Sequence, residues 1–260
     1  MDDTVSAWYL DLAEKLVDAS GEIIRPAFRG PIAVDRKADQ SPVTVADREA
    51  ERVMRELIAA ACPDHGIIGE EFGAMRPEAD YVWVLDPIDG TKSFITGKPL
   101  FGTLVALAYR GRPVLGVIDQ PVLHERWIGA KGHATTFNGT EARVRPCEAI
   151  GDAMLHATDP AMFKGDDAEA FERLSRQVCY PLYGSDCYAY GLLASGYTDL
   201  VVEASLGTYD YCALVPVVEG AGGVMTDWSG EALTISSDGR VIAAGDARIH
   251  QAAQALLAGS

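Results

Sequence analysis

Residues 83–99 read WVLDPIDGTKSFITGKP. An apolar run with the composition of a buried strand stops at Asp86, and a second acid follows at Asp89, with Gly90 and Thr91 behind it. A buried carboxylate without a partner is costly enough that it normally takes up a proton, and a like charge nearby makes matters worse. A chain that sets this pair at the end of a core strand must therefore bring something positive to the same point. Pro87 stiffens the segment between the two acids. The feature thus constrains the fold, which must deliver the end of a buried strand to a site, and also the chemistry of that site.

Other acids occupy similar positions. Glu70 and Glu71 follow the short apolar run GII at 66–68, and Asp210 stands at the head of YDYCALVPVVEGAGG. Loops at strand ends are where rigid scaffolds present functional groups. An all-oxygen donor set without cysteine or histidine suits Mg²⁺ better than zinc. Several carboxylates together could hold two such ions a few ångströms apart, the arrangement that clamps a phosphoryl group. Each acid also has a plainer reading. Asp210 would serve as a helix N-cap, Asp89 before Gly90 as a turn residue, and Glu71 as a solvated side chain.

The pattern around these acids alternates between helices and strands. Residues 4–29 read as an amphipathic helix, and a second helix starts near Thr44 with Ala50, Val53, Met54, Leu57 and Ile58 on one stripe. Strands are expected at GII and at YVWVL (81–85), then an antiparallel run from Phe101 to about Val144. Beyond residue 150 strands and helices alternate, with helices near 166–178, 186–195, 209–220 and 246–257. This predicts an α+β chain in two closely packed halves, 1–148 with most of the acids and 149–260 with the last one. The chain has 260 residues and a net charge of −16, which disfavours binding to nucleic acid or anionic membrane. No apolar run is long enough for a membrane span, the N-terminus lacks a signal-peptide layout, and five cysteines without a CxxC pair suit reduced thiols in the cytoplasm.

Glu70-Glu71 after a strand, Asp86-Pro87-Ile88-Asp89-Gly90-Thr91, and a later helix-opening Asp210 together resemble the inositol monophosphatase family of Mg²⁺-dependent phosphatases. The elements run in family order over nearly the whole chain. One departure is Tyr209, where the family commonly has tryptophan before the late aspartate. The resemblance implies layered αβαβα architecture and a sugar-phosphatase fold shared with fructose bisphosphatases. It implies two to three Mg²⁺ ions per subunit, held by Glu70, Asp86, Asp89 and Asp210 and by the carbonyl of Ile88. It also implies that Asp47 and Thr91, with Glu70, ready a metal-activated water for in-line attack on phosphorus, and that the protein is a homodimer. Asp47 has its own plainer reading as favourable charge at a helix N-terminus. Lys37 would gate the site or order a third ion, or else is a solvated loop lysine.

Other phosphate chemistries fit less well. The spacing of Asp86 and Asp89 denies the DxDGT arrangement of aspartyl-phosphate enzymes, since Pro87 lies two residues before Asp89. GKP at 97–99 lacks the Ser or Thr of a P-loop, no GxSxG or HExxH is present, and EGAGG at 219–223 reads as a helix C-cap. The family resemblance implies that the substrate contacts Gly184-Ser185-Asp186 and Glu203, besides Asp89, Gly90, Thr91 and Asp210. Two acids facing the leaving group suggest a cationic alcohol, and the stretch most closely resembles the family's histidinol-phosphate phosphatases, enzymes of histidine biosynthesis. Asp186 reads alternatively as the N-cap of the helix CYAYGLLASG. Inositol phosphate or another sugar phosphate, a 3′-phosphoadenosine nucleotide, or a non-enzymatic regulatory role on the same fold are the rival readings.

Overall fold

A computed structural model describes residues 4–31, 34–36 and 42–259. Helices α1 (Ala7–Ala27) and α2 (Val45–Ala61) flank the two-stranded β1 (Val34–Arg36) and β2 (Pro42–Thr44). Next come β3 (Gly66–Gly69), β4 (Gly73–Met75), β5 (Tyr81–Asp89), the short α3 (Thr91–Ile95), β6 (Gly102–Tyr109), β7 (Arg112–Gln120), β8 (Glu125–Ala130), β9 (Thr136–Phe137) and β10 (Thr140–Glu141). The second half holds β11 (Met154–Ala157), α4 (Asp166–Ser175), β12 (Tyr180–Tyr183), α5 (Tyr188–Ala194), β13 (Leu200–Glu203), α6 (Thr208–Tyr211), α7 (Leu214–Gly220), β14 (Val224–Thr226), β15 (Val241–Ala244) and α8 (Ala247–Ala258).

The strands make an eight-stranded sheet, ordered β10-β9-β8-β7-β6-β5-β3-β4, and a five-stranded sheet, ordered β12-β11-β13-β15-β14. Period-two alternation sorts their side chains into layers. Trp83, Leu85, Val105, Leu107 and Val117 face Leu16 and Val17 of α1 and Met54 and Ile58 of α2. Val82, Val84, Leu104 and Ile118 face the other way, into a core shared with Tyr190, Val217 and, from the second sheet, Val201 and Val241. Leu155, Leu200, Val202 and Ile242 pack beneath α4 and α8. The order is therefore helix, sheet, helix, sheet, helix. Each fully buried large side chain contributes about 1.5–3 kcal/mol.

The middle helix layer sits unusually close to the large sheet. Ala106, Gly116 and Gly129 lie side by side across β6, β7 and β8. A Cβ on Gly116 would lie 1.9 Å from the Ala213 carbonyl oxygen, and one on Gly129 would lie 2.2 Å from that of Pro216. This row of small residues lets the segment behind Asp210 rest on the backbone.

Two sequence expectations change. The helix expected over 209–220 is two helices, α6 and α7, because Pro216 lacks the N–H that would bond to Cys212. Strand β5 also runs beyond residue 85, to Asp89, with a bulge at Pro87 and Ile88 between two acids that stay paired with β6, Asp86 opposite Leu104 and Asp89 opposite Gly102. Among the described residues no helix is long and apolar enough to cross a membrane.

Candidate metal and substrate site

The bulged end of β5 meets the first turns of α2 and α6 and the loop before α5. Asp86, 1% exposed, accepts from the Ile88 N–H at 3.0 Å. Asp89 accepts from the Cys187 N–H at 2.7 Å, across the boundary between the halves. Asp210 accepts from the Gly207 N–H at 2.6 Å, closing a capping box on α6. Asp210 is therefore not the N-cap expected of it: Gly207 holds that place, and Asp210, the third residue of α6, reaches back to its N–H while its carboxylate joins the cluster. Asp86, Asp89 and Asp210 bring carboxylate oxygens within 4.8 Å of one another. Glu70 is not one of these three but stands beside Asp86, within hydrogen-bond reach of it. Its own N–H donates to the Leu85 carbonyl at 3.2 Å.

The electrostatics of this cluster are lopsided. Burial first, then Glu70, Asp89 and Asp210, push Asp86 well above the usual carboxylate range. Asp89 rises through burial, Asp186 and Asp210. Asp210 is raised to about 7, mainly by burial, with Glu70 adding to it. Like charges crowded and buried in this way favour the protonated acids unless a cation joins them. The donors are hard oxygens, converge on one point, and are already oriented by backbone N–H groups, so they fit a divalent cation of the Mg²⁺ type.

Asp47 is the third residue of α2. Its Oδ2 accepts from the Thr44 N–H at 2.8 Å and from the Thr44 hydroxyl at 2.5 Å, while its buried Oδ1 has no hydrogen-bond partner among the described residues. Burial raises its pKa, the Thr44 bonds oppose the rise, and Glu70 adds to it. The threonine bound to Asp47 is therefore Thr44. Thr91, expected as its companion, donates its hydroxyl to the Ile88 carbonyl at 3.1 Å. Gly90 precedes it at φ +83°, and a Cβ there would lie 2.8 Å from the Asp186 Cγ, so only glycine fits the turn.

A cavity of about 90 Å³ adjoins the cluster, lined by Asp89 and Asp210 together with Asp186, Glu203, Thr158 and Tyr190. Met162, Leu206 and Leu214 supply apolar walls. Larger clefts of about 410 and 690 Å³ lie elsewhere and touch none of the clustered acids, so volume does not locate the site. Glu203 is buried; it accepts from the Thr158 N–H at 2.9 Å and the Tyr190 hydroxyl at 2.9 Å, and burial raises it to about 6. Asp186 does not cap α5. Its carboxylate accepts from the buried Ser93 hydroxyl at 2.6 Å, and Lys98 and Lys92 partly offset the raising effect of burial. Gly184, at φ +84°, and the buried Ser185 form the turn leading into it.

Asp86, Asp89 and Asp210 thus converge, with Glu70 beside Asp86 and Ile88, Gly90 and Thr91 in the same segment; Asp186 and Glu203 line the adjoining cavity, and Asp47 is coupled to Glu70 by charge. Glu71 is half-buried, its N–H bonded to Glu51, and Lys37 lies outside the described residues. Sequence reading missed Thr158 and Tyr190. Thr158 carried the signal used for Asp86, a polar residue ending an apolar strand; Tyr190, inside an apolar helix, carried none.

Comparison with known proteins agrees with this geometry. A profile described as the inositol monophosphatase family matches residues 8–259. The bifunctional phosphatase IMPL2, chloroplastic, of Arabidopsis thaliana is 50% identical over 97% of this chain and 76% of its own length. A histidinol-phosphatase of Chlorobaculum parvum is 34% identical over 90% of this chain and 91% of its own. Among solved structures, an inositol monophosphatase from Zymomonas mobilis superposes with a TM-score of 0.90 at 48% identity, covering 98% of this chain and 100% of that one. The chain belongs to the inositol monophosphatase family of phosphatases.

Proposed function

We propose that the chain is a Mg²⁺-dependent phosphomonoesterase acting on L-histidinol phosphate. The observation that carries the substrate reading is the pair of acids Asp186 and Glu203 on the wall of the cavity beside the cluster. Histidinol carries an ammonium and a titratable imidazole, and buried carboxylates prefer charged hydrogen-bond donors of that kind. The 34% identity to a histidinol-phosphatase supports the same choice.

Glu70, Asp86, Asp89 and Asp210, with the Ile88 carbonyl, would hold the metal. When bound, Mg²⁺ would acidify a coordinated water and stabilise charge on phosphoryl and leaving oxygens. The chain's own groups do the rest. The N–H groups of Ile88, Cys187 and Gly207 keep three carboxylates in place, so the site need not reorganise when substrate arrives. The Asp47 Oδ1, unpaired among the described residues, can accept a proton or a hydrogen bond from water. Thr91 and Gly90 line the approach to the phosphoryl group, and Tyr190 and Thr158 fix the Glu203 carboxylate towards the alcohol. The proposal includes a cytoplasmic homodimer, the first half of which suits its five free thiols.

The 48% identity to a solved inositol monophosphatase favours inositol 1-phosphate as the second reading. Phosphate release with Mg²⁺ from the two esters, measured side by side with Asp89→Asn as control, separates them. Preference for histidinol phosphate, lost in the variant, is the expected result. Preference for the inositol ester keeps the metal site and refutes the substrate assignment, and turnover of neither refutes both.

A further inference from the structure

Glu51 is a fully buried carboxylate that plays no part in the chemistry above. It lies on α2 one turn beyond Asp47, so the two acids share a helix face. Its Oε2 accepts from the Glu71 N–H at 2.7 Å, and its Oε1 from the Phe72 N–H at 3.2 Å and the Arg55 Nε at 2.7 Å. Arg55 reaches on to the Gly73 carbonyl and lies over the Phe72 ring. Every residue from 71 to 73 is thereby tied to α2, and the residue just before them is Glu70. On its other side Glu70 is tied to β5 through the Leu85 carbonyl, adjacent to Asp86. Gly69 makes room for the arrangement: a Cβ there would lie 2.0 Å from the Glu51 Oε1.

We propose that Glu51 is a positioning residue that sets the Glu70 carboxylate against Asp86 and so determines metal affinity, an assignment that rests on the metal-site reading above. A buried ion pair is a poor device for stability alone, since a well-packed apolar pair does as well or better. What an apolar pair cannot do is orient two backbone N–H groups directly after Glu70. In Glu51→Gln the side-chain nitrogen can only donate, so one of the three donors loses its acceptor. The Gly69→Ala variant disturbs the same contact from the opposite side without removing the carboxylate.

Mn²⁺ binding followed by electron paramagnetic resonance on the intact chain is the direct test, with thermal melting and phosphate release alongside. Both variants should weaken Mn²⁺ about 10- to 100-fold, the range for loss of an outer-shell partner. Excess Mg²⁺ should recover most of kcat, with KM for the phosphate ester within about twofold of wild type, a split that a general loss of structure would not produce. Wild-type Mn²⁺ affinity in either folded variant would overturn the assignment, and Gly69→Ala decides alone if Glu51→Gln fails to fold. Absence of Mn²⁺ binding in the wild-type chain would overturn the metal-site reading itself, and this assignment with it.

Discussion

Two aspartates in this chain are almost equally inaccessible to solvent and are handled in opposite ways. Asp199, 2% exposed, meets Arg145 through two hydrogen bonds of 2.7 Å each and accepts the Met154 N–H at 2.9 Å. Burial raises its pKa, but these partners more than compensate and hold it below the usual range. Asp86, 1% exposed and more deeply enclosed, is raised by burial first, and where Asp199 has a guanidinium it has acids that add to the rise. The fold therefore has a working way to bury a carboxylate for structural ends, and uses it at Asp199. On the proposed metal-site reading, the crowding around Asp86 is relieved by a cation from solution.

The largest expected effect separates the two directly. Asp86→Asn should reduce phosphate release more than about 100-fold, the upper end for loss of an outer-shell partner, because a ligand itself is lost. In chelator the same variant should melt at or above the wild-type temperature, since one member of a repelling group has been neutralised. Asp199→Asn should do the reverse, costing about 1–2 kcal/mol of stability while leaving phosphate release within a few-fold of wild type. The figure is kept low because Arg145 is 36% exposed and solvent screens the pair. If both substitutions act alike, the distinction between the acids is wrong.

A smaller effect lies in pH. Asp86, Asp89 and Asp210 have folded pKa values raised above their unfolded values, so between the two values the native state holds more protons than the unfolded chain. Metal-free stability should therefore be greatest at low pH within this window and fall as pH rises from about 4 towards about 7, the value for Asp210. Asp199 has the opposite sign: its contribution is present above the unfolded pKa and lost as pH falls through the folded one. Added Mg²⁺ should relieve the cluster's repulsion, so its stabilising effect should be larger at pH 8 than at pH 5. Melting curves with and without chelator across this range measure the difference, and a metal-induced shift independent of pH would contradict it.

How much of this was legible in sequence depended on distance along the chain. DPIDGT announced a strand end loaded with charge because Asp86 and Asp89 are local to one another, and the capping role of Thr44 follows from its place before an apolar stripe. The break between α6 and α7 was missed although Pro216 carried its signal. Glu51 was not legible: with Arg55 at i+4, beside Glu49, Arg52 and Glu56, it reads as part of a solvated charged face. Only the packing of the turn after β3 onto α2 shows it buried. The Ser93–Asp186 bond spans 93 positions, and the Cys187–Asp89 bond 98, beyond anything a periodic pattern encodes. Sequence located the acids; the tertiary fold determined which of them have partners.

Asp47 combines both behaviours, and the smallest predicted effect concerns it. Its Oδ2 is satisfied by Thr44, as Asp199 is by Arg145, whereas its Oδ1 is buried without a partner among the described residues and its pKa is raised, as at Asp86. Thr44→Ala removes a hydroxyl that both caps α2, through the Ala46 N–H at 3.1 Å, and donates to Asp47. Loss of the cap should cost about 1 kcal/mol. If Asp47 belongs with the cluster, the freed Oδ2 will also swing or take up a proton, and kcat will drop several-fold with KM little changed. Thr44→Ser, which keeps the hydroxyl, should restore both. If Asp47 belongs with Asp199 instead, the melting temperature will move and kcat will not, and water positioning would then have to fall to Thr91 and Glu70 alone.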